Sequence, residues 1–220
     1  MGRWVWQGRR MFGNALVAGW ISFGVAVMLA GCGAADRNLT DYDLKTGDIV
    51  FQATGGEQCK AVSEATSSRF THCGVVFEQG GKLMVIEAVQ PVSITPLEAF
   101  IARSSPGTFH ARRLKQAPDS AKIEHAREWA YLTVGKDYDL GFQWSDEKLY
   151  CSELVWKLYR EAGVTLCDPR PFRDYALEGP RMTSVIQQRY GSLAELPLDE
   201  PAVAPSDLAK SPHLVEVPQR

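Results

Sequence analysis

The sequence predicts an α+β domain, because its first half holds several short β-strands and its second half two amphipathic helices. Short apolar runs bounded by glycine and proline predict the strands, and apolar residues recurring three and four positions apart predict the helices. The chain has 220 residues, of which 45% are hydrophobic and 23% charged. These values fit one globular domain with a small appendage.

The first 32 residues differ in composition from the rest of the chain. Three arginines and no acidic residue precede an uncharged apolar run, which ends in the motif LAGC at Cys32. This order is typical of a secretory signal peptide, and the LAGC ending resembles the bacterial lipobox. We therefore expect residues 1–31 to be a lipoprotein signal peptide and Cys32 to carry the lipid, palmitate included. The alternative is an N-terminal membrane helix, for which the run is just long enough.

The charge and the residues after Cys32 predict the location of the protein. Without residues 1–31 the chain has 21 basic and 26 acidic residues, a net charge of −5, so we expect no nucleic-acid partner. Residues 32–45 are polar enough to be a tether. Gly33 after the lipid-bearing cysteine favours sorting to the outer membrane. We expect a cell-envelope protein, lipid-anchored on the periplasmic face of that membrane.

Residues 46–217 are predicted to form one domain. Strands are expected within 46–53, as a hairpin over 71–88, near 92–96 and over 107–114, with a loop or short helix over 54–69 and a helical turn after Pro96. Helices are expected over 118–135 and 150–163, separated by an aromatic-rich loop. The tail after residue 163 is proline-rich, with short helical pieces at TSVIQQRY and SDLAK.

The predicted hairpin, FTHCGVVFEQGGKLMVIEA, has His72 near one end and Glu87 near the other. A loop of two residues, Gln79-Gly80, or of four would place His72 directly opposite Glu87, with their Cβ atoms about 4.5–5.5 Å apart. A three-residue loop would instead place Ala88 opposite His72. In the first register the carboxylate would fix the imidazole tautomer and stabilise the imidazolium.

Two cysteines, Cys73 and Cys151, are candidates to act together with His72 and Glu87. Cys73 follows His72 directly, but consecutive strand residues point to opposite faces, so we expect Cys73 to be a core residue outside the site. Cys151 precedes Leu154 and Val155 by three and four positions, which places it on the buried face of a helix in its first turn. Free N–H groups and the helix dipole stabilise a thiolate there. A buried, inert thiol is the alternative for Cys151.

The remaining cysteines predict no metal site. Thiols in an oxidising compartment are normally paired, and whether Cys59 pairs with Cys167 stays open. The sequence contains neither a C-x-x-C nor an H-x-x-x-H motif, so we expect no metal and no other cofactor.

Five motifs in a fixed order resemble a known family. GDIVF, THCGVV, VIEA, GKDYD and YCSELV follow one another as in the YiiX-like permuted papain-like enzymes, which are relatives of the NlpC-type cell-wall peptidases. The segment PSDLAKSPHL also resembles the end of that family, and the resemblance spans about residues 44–217. It implies a permuted papain-like (NlpC-type) fold, a small antiparallel sheet or half-barrel packed against helices, one of which bears the nucleophile.

The resemblance also implies roles for individual residues. Cys151 matches the nucleophile, His72 the general base and Glu87 the orienting residue. The backbone N–H groups of Cys151 and Ser152 would hold the oxyanion, and two tyrosines, Tyr138 and Tyr150, would contact substrate. Where many relatives have valine, this chain has Cys73.

The function implied is that of a lipid-anchored cysteine amidase or peptidase. Its envelope location and NlpC-type kinship suggest an amide substrate such as the stem peptide of a cell-wall muropeptide. One rival is a thiol acyltransferase, or a lipid ester or amide hydrolase, of the lecithin:retinol acyltransferase-like kind, which an apolar groove beside Cys151 would favour. The other is a non-catalytic binding module of the envelope.

Overall fold

An antiparallel sheet of six strands forms the centre of the molecule. The structure is a computed structural model that describes residues 40–219. The strands, in the spatial order β4-β3-β2-β1-β5-β8, are β1 Ile49–Gln52, β2 His72–Gln79, β3 Lys82–Glu87, β4 Ser93–Pro96, β5 His110–Leu114 and β8 Leu214–Glu216. Two short strands, β6 Arg170–Pro171 and β7 Pro201–Ala202, pair separately.

Six α-helices accompany the sheet within residues 40–219, which confirms the predicted α+β class. They are α1 Glu57–Thr66, α2 Leu97–Ala102, α3 Ser120–Leu132, α4 Cys151–Glu161, α5 Pro180–Tyr190 and α6 Pro205–Ala209. Helices α3 and α4 lie where the apolar spacing predicted them, and α5 is as long as α4 where the sequence suggested only a short helical piece. The tail is more ordered than the sequence suggested, because it also supplies strands β6, β7 and β8.

The signal peptide, residues 1–31, and Cys32 lie outside the described residues. Among residues 40–219, no helix has both the length and the apolar character that a membrane crossing requires.

The register of the β2–β3 hairpin differs from the predicted one by two positions. Gln79 pairs with Lys82, so the loop consists of Gly80 and Gly81 and not of Gln79-Gly80. Both glycines have positive φ, 60° and 77°, as a two-residue hairpin turn of type I′ requires. Only glycine adopts that backbone at both loop positions without strain, and this fixes the turn one residue later than expected.

The shifted register keeps His72 and Glu87 on the same face of the hairpin. The pair Val75–Ile86 brings Glu87 opposite Gly74, diagonal to His72 instead of directly across from it. A diagonal pair is still within reach of a long side chain. Gly74 leaves the room for this crossing, since a Cβ atom there would lie 2.5 Å from a methyl carbon of Val85 and 3.3 Å from Cβ of Glu87.

The sheet separates two apolar cores. One face of β1 and β2 packs against α3 and α4, and the buried residues of this core include Phe51, Cys73, Val75, Ala130 and Leu154. The opposite face packs against α2 through Val50, Val76, Val85, Leu97 and Phe100. Helix α4 therefore lies on the face of β2 to which Cys73 points.

Helices α1 and α5 pack against each other, and α5 contributes to a third, smaller apolar cluster together with Leu177 and Leu196. The carboxylate of Glu64 on α1 accepts hydrogen bonds of 2.9 Å from the backbone N–H groups of Arg181 and Met182 in the first turn of α5. Those N–H groups have no partner within the helix, and a negative charge there also favours the helix dipole. This contact fixes the start of α5 against α1.

Candidate active site

Cys151 is the first residue of α4, as the sequence predicted. The side chain of Glu153 accepts a hydrogen bond of 3.3 Å from the backbone N–H of Tyr150, which stabilises the start of the helix. Leu154 and Val155 are buried, so the apolar face of the helix draws Cys151 against the sheet. Cys151 itself is only 5% exposed.

His72 and Glu87 are joined by a buried hydrogen bond. Nε2 of His72 lies 2.5 Å from Oε2 of Glu87, and Glu87 is completely buried. An ionised carboxylate can only accept, so Nε2 carries the hydrogen. This leaves Nδ1 as the ring nitrogen that is available to a second partner. The ring of His72 also stacks on Phe100, with the centroids 5.6 Å apart, which holds the imidazole plane.

The second partner of His72 is the thiol of Cys151. Burial alone would lower the pKa of His72, but the hydrogen bonds and charges of Cys151 and Glu87 raise this pKa to about 9. The pKa of the Cys151 thiol is well below its ordinary value, because Cys73 and His72 stabilise the thiolate against the cost of burial. The two shifts together favour a thiolate–imidazolium pair. The structure thus brings together three residues that the sequence places 15 and 79 positions apart.

Cys73 corrects one prediction. It does point away from Glu87 into the α4-facing core, as strand alternation requires, but the conclusion that it lies outside the site is wrong. Both its side chain and its backbone N–H interact with the Cys151 sulfur, because α4 packs on that same face of β2. Burial and the neighbouring Cys151 raise the pKa of Cys73 well above its usual value, so Cys73 keeps its proton and can donate it.

Arg103, at the end of α2, is a member of the site that the sequence analysis missed. Its Nη2 lies 2.5 Å from Oε1 of Glu87, so the carboxylate is held between His72 and Arg103. Burial raises the pKa of Glu87, but His72 and Arg103 outweigh it and keep this pKa below its ordinary value. No local motif marks Arg103, because the contact depends on how α2 packs against the sheet.

Tyr138 lies near enough to Cys151 for their charges to interact, and its contact with substrate stays a prediction. Burial raises the pKa of Tyr138 well above 10, and the charge of Cys151 raises it further. The hydroxyl oxygen accepts a hydrogen bond of 2.9 Å from Nε2 of Gln58, another residue that the sequence analysis missed. No acceptor for the hydrogen of this hydroxyl lies among residues 40–219, so Tyr138 is free to donate to a substrate oxygen.

Tyr150 and Ser152 flank the cysteine but use their side chains structurally. The hydroxyl of Tyr150 accepts from the backbone N–H of Val203 at 3.2 Å, and the hydroxyl of Ser152 donates to the Val203 carbonyl at 2.7 Å. The ring of Tyr150 nevertheless forms part of a cavity wall. The backbone N–H groups of Cys151 and Ser152 belong to the first turn of α4, where N–H groups have no partner in the helix.

A cavity with an almost wholly apolar lining opens beside Cys151. Its volume is about 80 Å³, and it opens into a wider space of about 730 Å³ that includes open solvent. The cavity lies between α1, α5 and the start of α4. Apolar side chains that line it include Val62, Ala65, Phe142, Leu177, Met182, Val185, Ile186 and Leu196.

The four cysteines of the described region, Cys59, Cys73, Cys151 and Cys167, are free thiols, so Cys59 and Cys167 are not paired with each other. Between residues 40 and 219 no three His, Cys, Asp or Glu side chains cluster in a way that could hold a metal ion.

Comparisons with known proteins show the family of the chain. Residues 43–218 match a family model described as "permuted papain-like amidase enzyme, YaeF/YiiX, C92 family". The chain is 34% identical over 174 residues to the uncharacterized protein YiiX of Escherichia coli K12, a match covering 79% of this chain and 85% of that protein. It is also similar to the crystal structure of YiiX from Escherichia coli O157:H7, which is titled a metalloprotein. That match has a TM-score of 0.75 and 34% identity, and covers 80% of this chain and 97% of the other. The chain therefore belongs to the permuted papain-like amidase family, a family of cysteine hydrolases.

Proposed function

We propose that this amidase cleaves amides that have a long apolar acyl group, with Cys151 as nucleophile, His72 as general base and Glu87 as the residue that orients His72. The observation that supports this substrate class is the apolar cavity directly beside Cys151. A stem peptide is polar and charged and would gain little from such a wall, whereas each buried CH₂ of an acyl chain contributes about 0.8 kcal/mol.

In the proposed mechanism the Cys151 thiolate attacks the amide carbonyl carbon. The negative charge that develops on the carbonyl oxygen is stabilised by the N–H groups at the start of α4 and by the hydroxyl of Tyr138. The His72 imidazolium then gives its proton to the departing amine, and a thioester of Cys151 remains. His72 next takes a proton from water, which attacks the thioester and releases the acid.

We further propose that the protein acts at the cell envelope, anchored through lipid on Cys32. The LAGC motif supports the anchor. A membrane surface would also be the natural source of acylated substrates, because long acyl chains partition into the bilayer. Cell-wall stem peptides are the second candidate substrate, which kinship with the NlpC-type peptidases favours.

Chain-length dependence of hydrolysis tests this proposal. The detergent-solubilised full chain and its Cys151→Ala variant are incubated with acetyl, octanoyl and dodecanoyl amides of one amine, and with a muropeptide. We expect kcat/KM to rise at least tenfold from acetyl to dodecanoyl, a Cys151 acyl-enzyme to be visible by intact mass, and Cys151→Ala to be inactive. An acyltransferase would form the same acyl-enzyme but pass the acyl group to an added amine.

A cavity-filling variant, compared with a control variant outside the cavity, tests the role of the cavity. Met182→Trp, which narrows the apolar cavity, is expected to reduce hydrolysis of the dodecanoyl amide about tenfold and to leave the acetyl amide unaffected. The exposed residue Leu132 lies outside the cavity, so Leu132→Trp should change neither rate. Equal rates for all three chain lengths, or faster turnover of the muropeptide, would contradict the acyl-chain proposal.

A further inference from the structure

One charged side chain stands out in the lining of the apolar cavity. Among the described residues that line it, Arg189, in the last turn of α5, is the only Arg, Lys, Asp or Glu. Binding sites of this kind combine apolar walls with a few polar groups that fix the orientation of the ligand. One arginine in an otherwise apolar wall therefore raises the question of which negatively charged group, of the protein or of a ligand, it binds.

Within the part of the chain that the structure describes, no carboxylate forms a hydrogen bond or ion pair with Arg189. It donates hydrogen bonds of 2.7 Å to the backbone oxygen of Leu140 and to the side-chain oxygen of Gln58, both of which are neutral. No ion pair within 40–219 includes it. Asp139 acts on it only through its charge, without a hydrogen bond or ion pair.

The guanidinium of Arg189 also lies over the ring of Phe142, 5.4 Å from the centroid, but no anion compensates its positive charge among residues 40–219. Burial lowers the pKa of its guanidinium, against smaller opposing effects of Tyr138, Tyr190 and Asp139. Arginine still remains protonated, and a guanidinium removed from water is stabilised by an oxyanion that it can bind through two N–H groups. Two of its five N–H donors are engaged by Leu140 and Gln58, which leaves donors for a ligand.

Hydrogen bonds connect Arg189 to the reaction centre. Nη2 of Arg189 donates to Gln58 at 2.7 Å, and the amide nitrogen of Gln58 donates to the hydroxyl of Tyr138 at 2.9 Å. Tyr138 in turn lies beside Cys151. Arg189 is thus separated from the residue next to the nucleophile by two hydrogen bonds and one amide group. Arg189 itself is only partly buried, so it lies toward the solvent side of the cavity.

We propose that Arg189 binds a carboxylate on the amine part of the substrate, so that the substrates are amides of an apolar acyl group with an amino acid. This inference rests on the proposed function and specifies its substrate class. The acyl chain occupies the apolar cavity, the amide lies at Cys151, and the carboxylate pairs with Arg189 at the more open end. A phosphate on the amine part offers the same oxyanion chemistry and is the second source to distinguish.

Three dodecanoyl amides test the proposal in hydrolysis by the full chain. They are dodecanoylglycine, the uncharged dodecanoyl propylamide and dodecanoyl ethanolamine phosphate. We expect wild type to hydrolyse dodecanoylglycine at least tenfold faster, in kcat/KM, than the propylamide. Arg189→Gln should remove this difference and Arg189→Lys should retain part of it. Arg181→Gln is the matched control, because Arg181 lies on the same helix and does not line the cavity.

The outcomes separate this proposal from the function on which it rests. If Arg189→Gln slows the charged and uncharged amides equally, Arg189 only supports Gln58 and Tyr138, and the carboxylate site is refuted. A preference for the phosphate over the carboxylate refutes the amino-acid assignment. If wild type hydrolyses no amide, the proposed function fails. The site is then judged by calorimetric binding to Cys151→Ala: tighter binding of dodecanoylglycine than of the propylamide supports it, and equal binding overturns it.

Discussion

The substitution Glu87→Gln tests the catalytic arrangement most directly. Glu87 is completely buried and holds Nε2 of His72 at 2.5 Å. The amide of glutamine has nearly the same shape but no charge. Where the NH₂ group of the glutamine faces His72, it donates a hydrogen bond to Nε2, so Nε2 must be the unprotonated ring nitrogen. The ring hydrogen then lies on Nδ1 and points at Cys151. The variant therefore removes a charge and selects the wrong tautomer.

The pKa of His72 indicates how much Glu87→Gln should reduce kcat/KM. The rise of its pKa from 6.5 to about 9 corresponds to roughly 3 kcal/mol in favour of the imidazolium. Glu87 follows Cys151 among the groups that raise this pKa, so removal of the Glu87 charge takes away part of this preference for the imidazolium. The wrong tautomer costs more, about 10⁴-fold in a Ser–His–Asp triad. We expect kcat/KM to fall between about 10² and 10⁴-fold.

Alkylation of Cys151 measures the ion pair without a substrate. Iodoacetamide labelling of the full chain is followed from pH 4 to 10 by peptide mass analysis of Cys151. In Glu87→Gln the labelling midpoint should move to higher pH, since less imidazolium is present to stabilise the thiolate. Glu78→Gln, an exposed change on the same hairpin, should leave the profile unchanged. A Glu87→Gln profile that overlays that of wild type, with kcat/KM reduced less than threefold, would refute the reasoning.

The free energy of unfolding should depend on pH through His72 and Glu87. The pKa of His72 is raised, so its contribution to the free energy of unfolding is complete below pH 6.5 and is lost as the pH rises through about 9. The pKa of Glu87 is lowered, so its contribution is present above pH 4.5 and is lost as the pH falls through the folded-state value. The difference in urea stability between wild type and Glu87→Gln should thus be largest at intermediate pH.

Three other substitutions have defined outcomes. Arg103→Gln should raise the pKa of Glu87, so that the acidic pH below which Cys151 is no longer labelled moves upward. Arg103→Lys should keep this pH at the wild-type value. Cys73→Val keeps nearly the same volume but removes the thiol that donates to Cys151, so the labelling midpoint should rise without a large loss in thermal stability. Burial raises the pKa of Glu153 to about 7, which costs stability as the pH rises from 4.5 to 7; Glu153→Gln should therefore increase the melting temperature at pH 8 more than at pH 5. The first expectation is contradicted if Arg103→Gln leaves the acidic limit of labelling unchanged, and the second if Cys73→Val leaves the labelling midpoint unchanged. The third is contradicted if Glu153→Gln increases the melting temperature equally at pH 5 and pH 8.

Local patterns in the sequence were sufficient to predict the elements that bear the proposed catalytic residues. Apolar spacing predicted α4 with Cys151 in its first turn, and alternation placed His72 and Glu87 on one face of a hairpin. Both inferences depend on fixed periods, 3.6 residues for a helix and two for a strand, which short segments express without any tertiary contact. The shift by two positions in the register did not matter, because an even shift preserves the face.

The contacts between elements could be read only from the tertiary structure. The packing of α4 on β2 places Cys73 beside Cys151, and the packing of α2 brings Arg103 to Glu87. The apolar cavity and Arg189 depend on how α1 and α5 meet. The sequence by itself thus determined which residue types lie on which face of each element. The neighbours of those residues, and with them the pKa of each group and the shape of the cavity, depend on long-range packing that no local period encodes.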